Sequence, residues 1–155
     1  MGFRITGLSA DPFRHLYGLS DHELRRHGVL RNVADSKPGF PDRIEMRDAE
    51  IGERLLLLNH ECQPAATPYR ATHAIFIREG AERTYDRVDQ VPEVMRSRLL
   101  SLRAYDACGM MLDADIVDGR EVEALIARLF ACTAVQYIHA HNARRGCYSG
   151  RIDRA

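Results

Sequence analysis

The amino-acid sequence predicts an α+β fold, a mixed and mostly antiparallel sheet with helices packed against it. Three observations carry that expectation. Arg54 to Glu61 and His73 to Glu79 are apolar on both faces of an extended chain, which marks strands covered on both sides. Leu99 to Tyr105 and Leu112 to Val117 alternate with period two around a glycine-containing turn, the pattern of an antiparallel hairpin. Val122, Leu125, Ile126, Leu129 and Phe130 instead recur at the spacing of one helical face.

In chain order, Phe3 to Leu8 alternates like an edge strand, and Asp11-Pro12 opens a short helical turn carrying Phe13, Leu16 and Tyr17. Ser20-Asp-His-Glu23 is a capping box for a short helix that Gly28 ends, after which Val29 to Val33 is extended. Ala34 to Pro41 is a loop, because Pro38 and Pro41 each restrict the residue before them. The strands Arg54 to Glu61 and His73 to Glu79 are expected in the middle of the sheet, joined by a loop, Cys62 to Thr72, that forms a lid or pocket rim. Pro92 to Arg98 is a short helix. In the hairpin that follows, a loop of Ala107-Cys108-Gly109 pairs Leu102 with Ala114 and Arg103 with Asp113. That ion pair discounts Arg103 as a ligand-binding residue. Asp118-Gly-Arg-Glu121 is a second capping box, and the helix it opens links the strand ending at Val117 to one starting at Val135 as a right-handed parallel crossover. Val135 to His141 is a strand, Asn142 to Gly146 a turn, and Cys147 to Ile152 a returning strand.

Composition bounds the function. A chain of 155 residues, 45% hydrophobic and 28% charged, suits one globular domain spanning 1–155. Basic and acidic residues balance at 22 each, so no net field attracts a phosphate backbone and nucleic acid is not an expected partner. Lys37 is the only lysine; arginine suits planar bidentate contacts, although a compositional bias explains the excess first. No run of about 18 apolar residues occurs, and Met1 to Ser9 lacks the features of a signal peptide. A cytoplasmic protein that does not enter a membrane is therefore expected. Met1-Gly2 with Thr6 formally fits a myristoylation pattern, but chance explains it better. Cys62, Cys108, Cys132 and Cys147 form no CxxC pair, and reduced thiols are expected.

The densest chemistry lies in Tyr137-Ile-His-Ala-His-Asn-Ala-Arg-Arg-Gly-Cys-Tyr148. Period two points Tyr137, His139 and His141 to one face and Ile138 and Ala140 to the other. Two imidazoles so placed can share a metal if His73, His60 or Cys147 supplies a third ligand. Two histidines hydrogen-bonded within a polar sheet face are the competing explanation, and the pattern assigns no metal or cofactor. Cys147 is the candidate nucleophile, with His139 or His141 as base and Asn142 as orienter; its plainer reading is a buried small hydrophobe. Tyr69, Arg70, His73 and Asn142 are candidate ligand-binding residues. Arg144 and Arg145 read as solvated turn residues, with at most one facing a pocket.

The segments Ala34-Asp-Ser-Lys-Pro-Gly-Phe-Pro41, Thr67-Pro-Tyr-Arg-Ala-Thr-His-Ala-Ile-Phe76, Leu99-Leu-Ser-Leu-Arg-Ala-Tyr105 and Tyr137 to Tyr148 together resemble a family of small bacterial proteins known only as a domain of unknown function. The resemblance runs nearly end to end, and it implies a bacterial setting and no mechanism. The sequence departs from the family pattern at Asp42, His60 and Cys62, which ranks His60 and Cys62 below His73, His139, His141 and Cys147 as site members.

These observations converge on a protein that binds a small polar or anionic molecule in a His/Cys/Arg-lined pocket, with enzymatic activity left open. The alternative is a noncatalytic interaction module whose polar face binds a protein partner or closes a homodimer.

Overall fold

A computed structural model describes residues 2–155. Among them are nine strands and three α-helices: β1 Phe3–Thr6, α1 Asp21–Arg26, β2 Leu30–Val33, β3 Arg54–Gln63, β4 Ala71–Arg78, β5 Asp86–Val88, α2 Glu93–Arg96, β6 Leu99–Tyr105, β7 Met111–Asp118, α3 Val122–Phe130, β8 Tyr137–Asn142 and β9 Tyr148–Arg154. The fold is α+β, as the sequence predicts, but the strands divide between two sheets. One has six strands in the order β5-β1-β9-β8-β6-β7, the other three in the order β2-β3-β4. Every hydrogen-bonded neighbour pair is antiparallel.

The division corrects the expectation that β3 and β4 occupy the middle of a single sheet. Their double-sided hydrophobicity has another cause. Leu56, Leu58, Ile75 and Ile77 pack with Phe13, Leu24, Ile44 and Tyr148 on one side, while Leu55 packs with Ala34 and Ala49, and with Phe40 and Phe76, on the other. The long segment between β2 and β3 thus covers the outer face that a neighbouring layer would otherwise bury.

In the large sheet, Leu100, Leu102 and Ala104 of β6, Ile138 and Ala140 of β8, and Ile152 of β9 form one core with Val122, Leu125, Ile126, Leu129 and Phe130 of α3. The apolar stripe of α3 is therefore seated as its spacing requires. Strands β7 and β8, which α3 connects, are both antiparallel to β6. They run parallel to each other with β6 between them, so the crossover spans an intervening strand.

Three local expectations need correction. β1 is not an edge strand, since it pairs with both β5 and β9; Met1 of the myristoylation pattern lies outside the described residues. The cap at Asp118 accepts from the Arg120 N–H, and a 3-10 turn over Gly119–Glu121 precedes α3. The β6–β7 hairpin is shifted by one residue: Leu102 faces Asp115 and Arg103 faces Ala114, with an irregularity between Ala104 and Tyr105. The Asp106 carboxylate accepts from the N–H groups of Cys108 and Met110, which stabilises a longer turn than the one expected. Asp113 and Asp115 consequently pair with Arg128 of α3, and the expected Arg103–Asp113 ion pair is absent among the described residues.

Candidate functional site

Alternation along β8 sets the site. Ile138 and Ala140 enter the core beneath α3, which leaves Tyr137, His139 and His141 on the opposite face of the sheet. Antiparallel register places Ser101 beside His141 and Arg103 beside His139 on β6, and Arg151 beside His139 on β9. The three-stranded sheet meets this face through His73 of β4, whose ring lies edge-on to that of His141 with centroids 4.9 Å apart. His139 and His141 are 3% and 1% exposed.

Burial lowers the pKa of both buried imidazoles to about 3, with Arg103 and other nearby cationic groups acting in the same direction. His73 is lowered in the same way, by burial and then by Arg103. All three rings are therefore neutral near pH 7, each with one nitrogen able to accept or ligate. His141 Nδ1 lies 3.0 Å from the Gly146 carbonyl oxygen. A carbonyl can only accept, so the proton sits on Nδ1 and the lone pair on Nε2. His73 Nε2 and His139 Nδ1 are buried with no hydrogen-bond partner among the described residues.

Cys62, near the end of β3, completes this cluster. The ligand atoms of Cys62, His73 and His141 all lie within 4.8 Å of one another. The sequence reading places Cys62 below Cys147 as a site member; in the structure Cys62, and not Cys147, is grouped with His73 and His141. Which strand faces β8 decides the matter, and no local pattern encodes it.

Cys147 stands instead at a second chemical centre. Its sulfur accepts from Nη2 of Arg43 at 3.1 Å and from Nδ2 of Asn142 at 3.6 Å. Neither His139 nor His141 is hydrogen-bonded to it; the side chain that reaches the sulfur is the Arg43 guanidinium, which acts there as a donor and not as a base. Asn142, expected to orient a histidine base, donates to the sulfur itself, while its Oδ1 is buried without a partner among the described residues. Arg43 is 2% exposed and also donates to the Tyr148 and Pro41 carbonyl oxygens. Burial pushes its own pKa down, and Cys147 counters this. Arg43 was not legible in the sequence, since an arginine in a Pro-flanked loop reads as solvated.

A cleft of about 910 Å³ opens beside these groups. His73, Asn142 and Cys147 line it together with Arg43, Arg98, Arg144 and Arg145. Phe40, Leu57, Ile75, Phe76 and Leu99 give it an apolar wall. His73 thus touches both the cleft and the Cys62–His141 cluster. Arg98 is held by Asp48, whereas Arg144 and Arg145 have no carboxylate partner among the described residues.

The remaining sequence-derived candidates lie elsewhere. Arg70 pairs with Glu61 at 3.2 Å. Tyr69 is 37% exposed, and its ring lies against that of Tyr105, 6.5 Å away. Neither lines the cleft. Arg103, discounted on the expected pairing with Asp113, has its Nε 3.5 Å from the Ser101 hydroxyl and acts electrostatically on all three histidines.

The fold and the site define an α+β protein of antiparallel sheets with a histidine- and cysteine-bearing seam opening into an arginine-lined cleft. The chain belongs to the family described as protein of unknown function (DUF1203), whose model matches residues 39–154. This agrees with the resemblance seen in the sequence motifs, and the matched span contains every cleft-lining residue. No curated protein and no solved structure matches the chain. No helix among the described residues is long and apolar enough to cross a membrane.

Proposed function

We propose that the cleft binds a small organic anion, a carboxylate or phosphate ester with an apolar portion. One observation carries this reading: four arginines line the cleft and no aspartate or glutamate does. Arg43 and Arg98 are engaged by protein groups, which leaves Arg144 and Arg145 to meet the charge. Phe40, Ile75 and Phe76 receive the apolar part. In this reading, Cys147 presents a potential nucleophile to the bound molecule, with Arg43 and Asn142 at its sulfur.

Calorimetric titration at low salt tests the proposal, using phenyl phosphate and benzoate as probes and benzamide as the neutral comparison. The anions are expected to bind and benzamide to bind at least about tenfold more weakly, a difference of about 1.4 kcal/mol. Arg144→Glu combined with Arg145→Glu is expected to abolish anion binding. Equal affinity for anion and amide, or anion binding indifferent to the double substitution, overturns it.

A second reading, a module that closes a homodimer, draws on β7. This edge strand exposes Leu112 at 45% and Ile116 at 60%, and an unpaired strand edge is a template for another chain. Sedimentation of wild type against Leu112→Lys and Ile116→Lys distinguishes the two: a dimer lost on substitution favours this module, whereas a monomer at all concentrations removes it.

A further inference from the structure

We propose that Cys62, His73 and His141 form a binding site for a divalent ion of the zinc type, with three protein ligands, one of which, His73, also lines the cleft. The three residues come from β3, β4 and β8, so the site joins the two sheets. The proposal stands apart from the anion reading, because none of its ligands is among the arginines that carry that reading.

Three observations support it. The ligand atoms lie within 4.8 Å of one another. Groups bound to one tetrahedral ion at about 2.0–2.3 Å are about 3.3–3.8 Å apart, so side-chain rotation of roughly 1 Å closes the set. Next, His73 Nε2 is buried with no partner; a buried imidazole nitrogen left without a hydrogen bond is costly, and coordination would satisfy it. Last, His141 donates through Nδ1 to the Gly146 carbonyl. That bond fixes the tautomer with Nε2 free to ligate, the arrangement in which a backbone carbonyl orients a metal-binding histidine.

The donor set selects the ion. One thiol and two imidazoles suit zinc, and cobalt as its spectroscopic substitute, better than magnesium or calcium, which prefer oxygen. Binding converts the Cys62 thiol to a thiolate with release of its proton. His139 is near this group, its ring centroid 6.5 Å from that of His141, but it is not one of the three clustered ligands.

The test uses purified full-length protein, reduced and stripped of metal, titrated with cobalt(II) and separately with zinc under a competing chromophoric chelator. One equivalent of cobalt is expected to give intense visible bands of tetrahedral type and a near-ultraviolet sulfur-to-cobalt charge-transfer band. Cys62→Ser should remove the charge-transfer band, and His73→Ala should remove stoichiometric binding. Cys132→Ser, which alters an exposed cysteine, should leave both signals intact. Circular dichroism verifies that each variant is folded; a misfolded His73→Ala is replaced by His73→Gln. Absence of binding by the folded wild type, or a cobalt spectrum unchanged by Cys62→Ser, overturns the proposal. Phenyl phosphate titration of metal-free Cys62→Ser keeps the two ideas distinguishable, since anion binding should survive there even when the metal site is gone.

Discussion

Nη2 of Arg43 donates to Sγ of Cys147 at 3.1 Å across 104 positions of sequence. The guanidinium is almost wholly buried, and its hydrogen bonds reach two backbone carbonyls and this sulfur rather than a carboxylate. A buried cation needs compensation, and the Cys147 sulfur is the side-chain acceptor that the guanidinium reaches.

The first prediction follows from that contact. Arg43→Met removes the donors to Tyr148, Pro41 and Cys147 together, and should destabilise the protein by about 2–4 kcal/mol, because buried acceptors are left unsatisfied. It should also change the rate at which Cys147 is alkylated, since the guanidinium that donates to its sulfur is removed. Peptide mass spectrometry after timed iodoacetamide exposure reads the rate at each cysteine. Unchanged stability and an unchanged Cys147 rate would show that the contact contributes nothing.

A second prediction concerns the segment that carries Arg43. A Cβ added to Gly7 would stand 2.3 Å from the Ile44 carbonyl oxygen and 2.8 Å from that of Arg43, while the Leu8 N–H donates to the same Arg43 oxygen. Both obstacles are backbone and cannot swing aside. Gly7→Ala should therefore cost about 3 kcal/mol in urea unfolding. A cost below about 0.5 kcal/mol would mean that β1 and the Arg43 segment separate easily.

A third prediction is a pH dependence. Hydrogen bonding to Arg47, reinforced by the Glu50 N–H and by Arg78, lowers the pKa of Glu53 from 4.5 to about 2. The carboxylate side chain is 27% exposed, so its contribution is discounted for solvent screening to about 1–2 kcal/mol. A depressed carboxylate stabilises the fold above its unfolded pKa, and that stability is lost as pH falls from about 4.5 toward 2. Glu53→Gln should cost about 1–2 kcal/mol near pH 6 by denaturant unfolding, with the difference from wild type shrinking by more than half near pH 3. A difference independent of pH would contradict the ionic role.

Much of the fold was legible because local patterns match local structure. The Ser20 hydroxyl accepts from the Glu23 N–H, α3 buries its expected stripe, and β8 presents alternate faces. What was hidden depends on long-range choices. The hairpin register turned on Asp106, whose carboxylate organises the turn, and a one-residue shift separated Arg103 from Asp113. β3 and β4 looked central because the β2–β3 segment, through Ala34, Phe40 and Ala49, buries their second face. Period two alone put His139 and His141 on one face of β8, whereas the neighbourhood of Cys62 and Arg43 required knowing which segments pack against β8 and β9.

If, as we propose, Cys147 and the arginines share one anion-binding cleft, a bound anion protects the thiol from alkylation. Phenyl phosphate at saturating concentration should slow iodoacetamide modification of Cys147 and leave that of exposed Cys132 unchanged. Equal Cys147 rates with and without phenyl phosphate would mean that the anion does not occupy the cleft beside this sulfur.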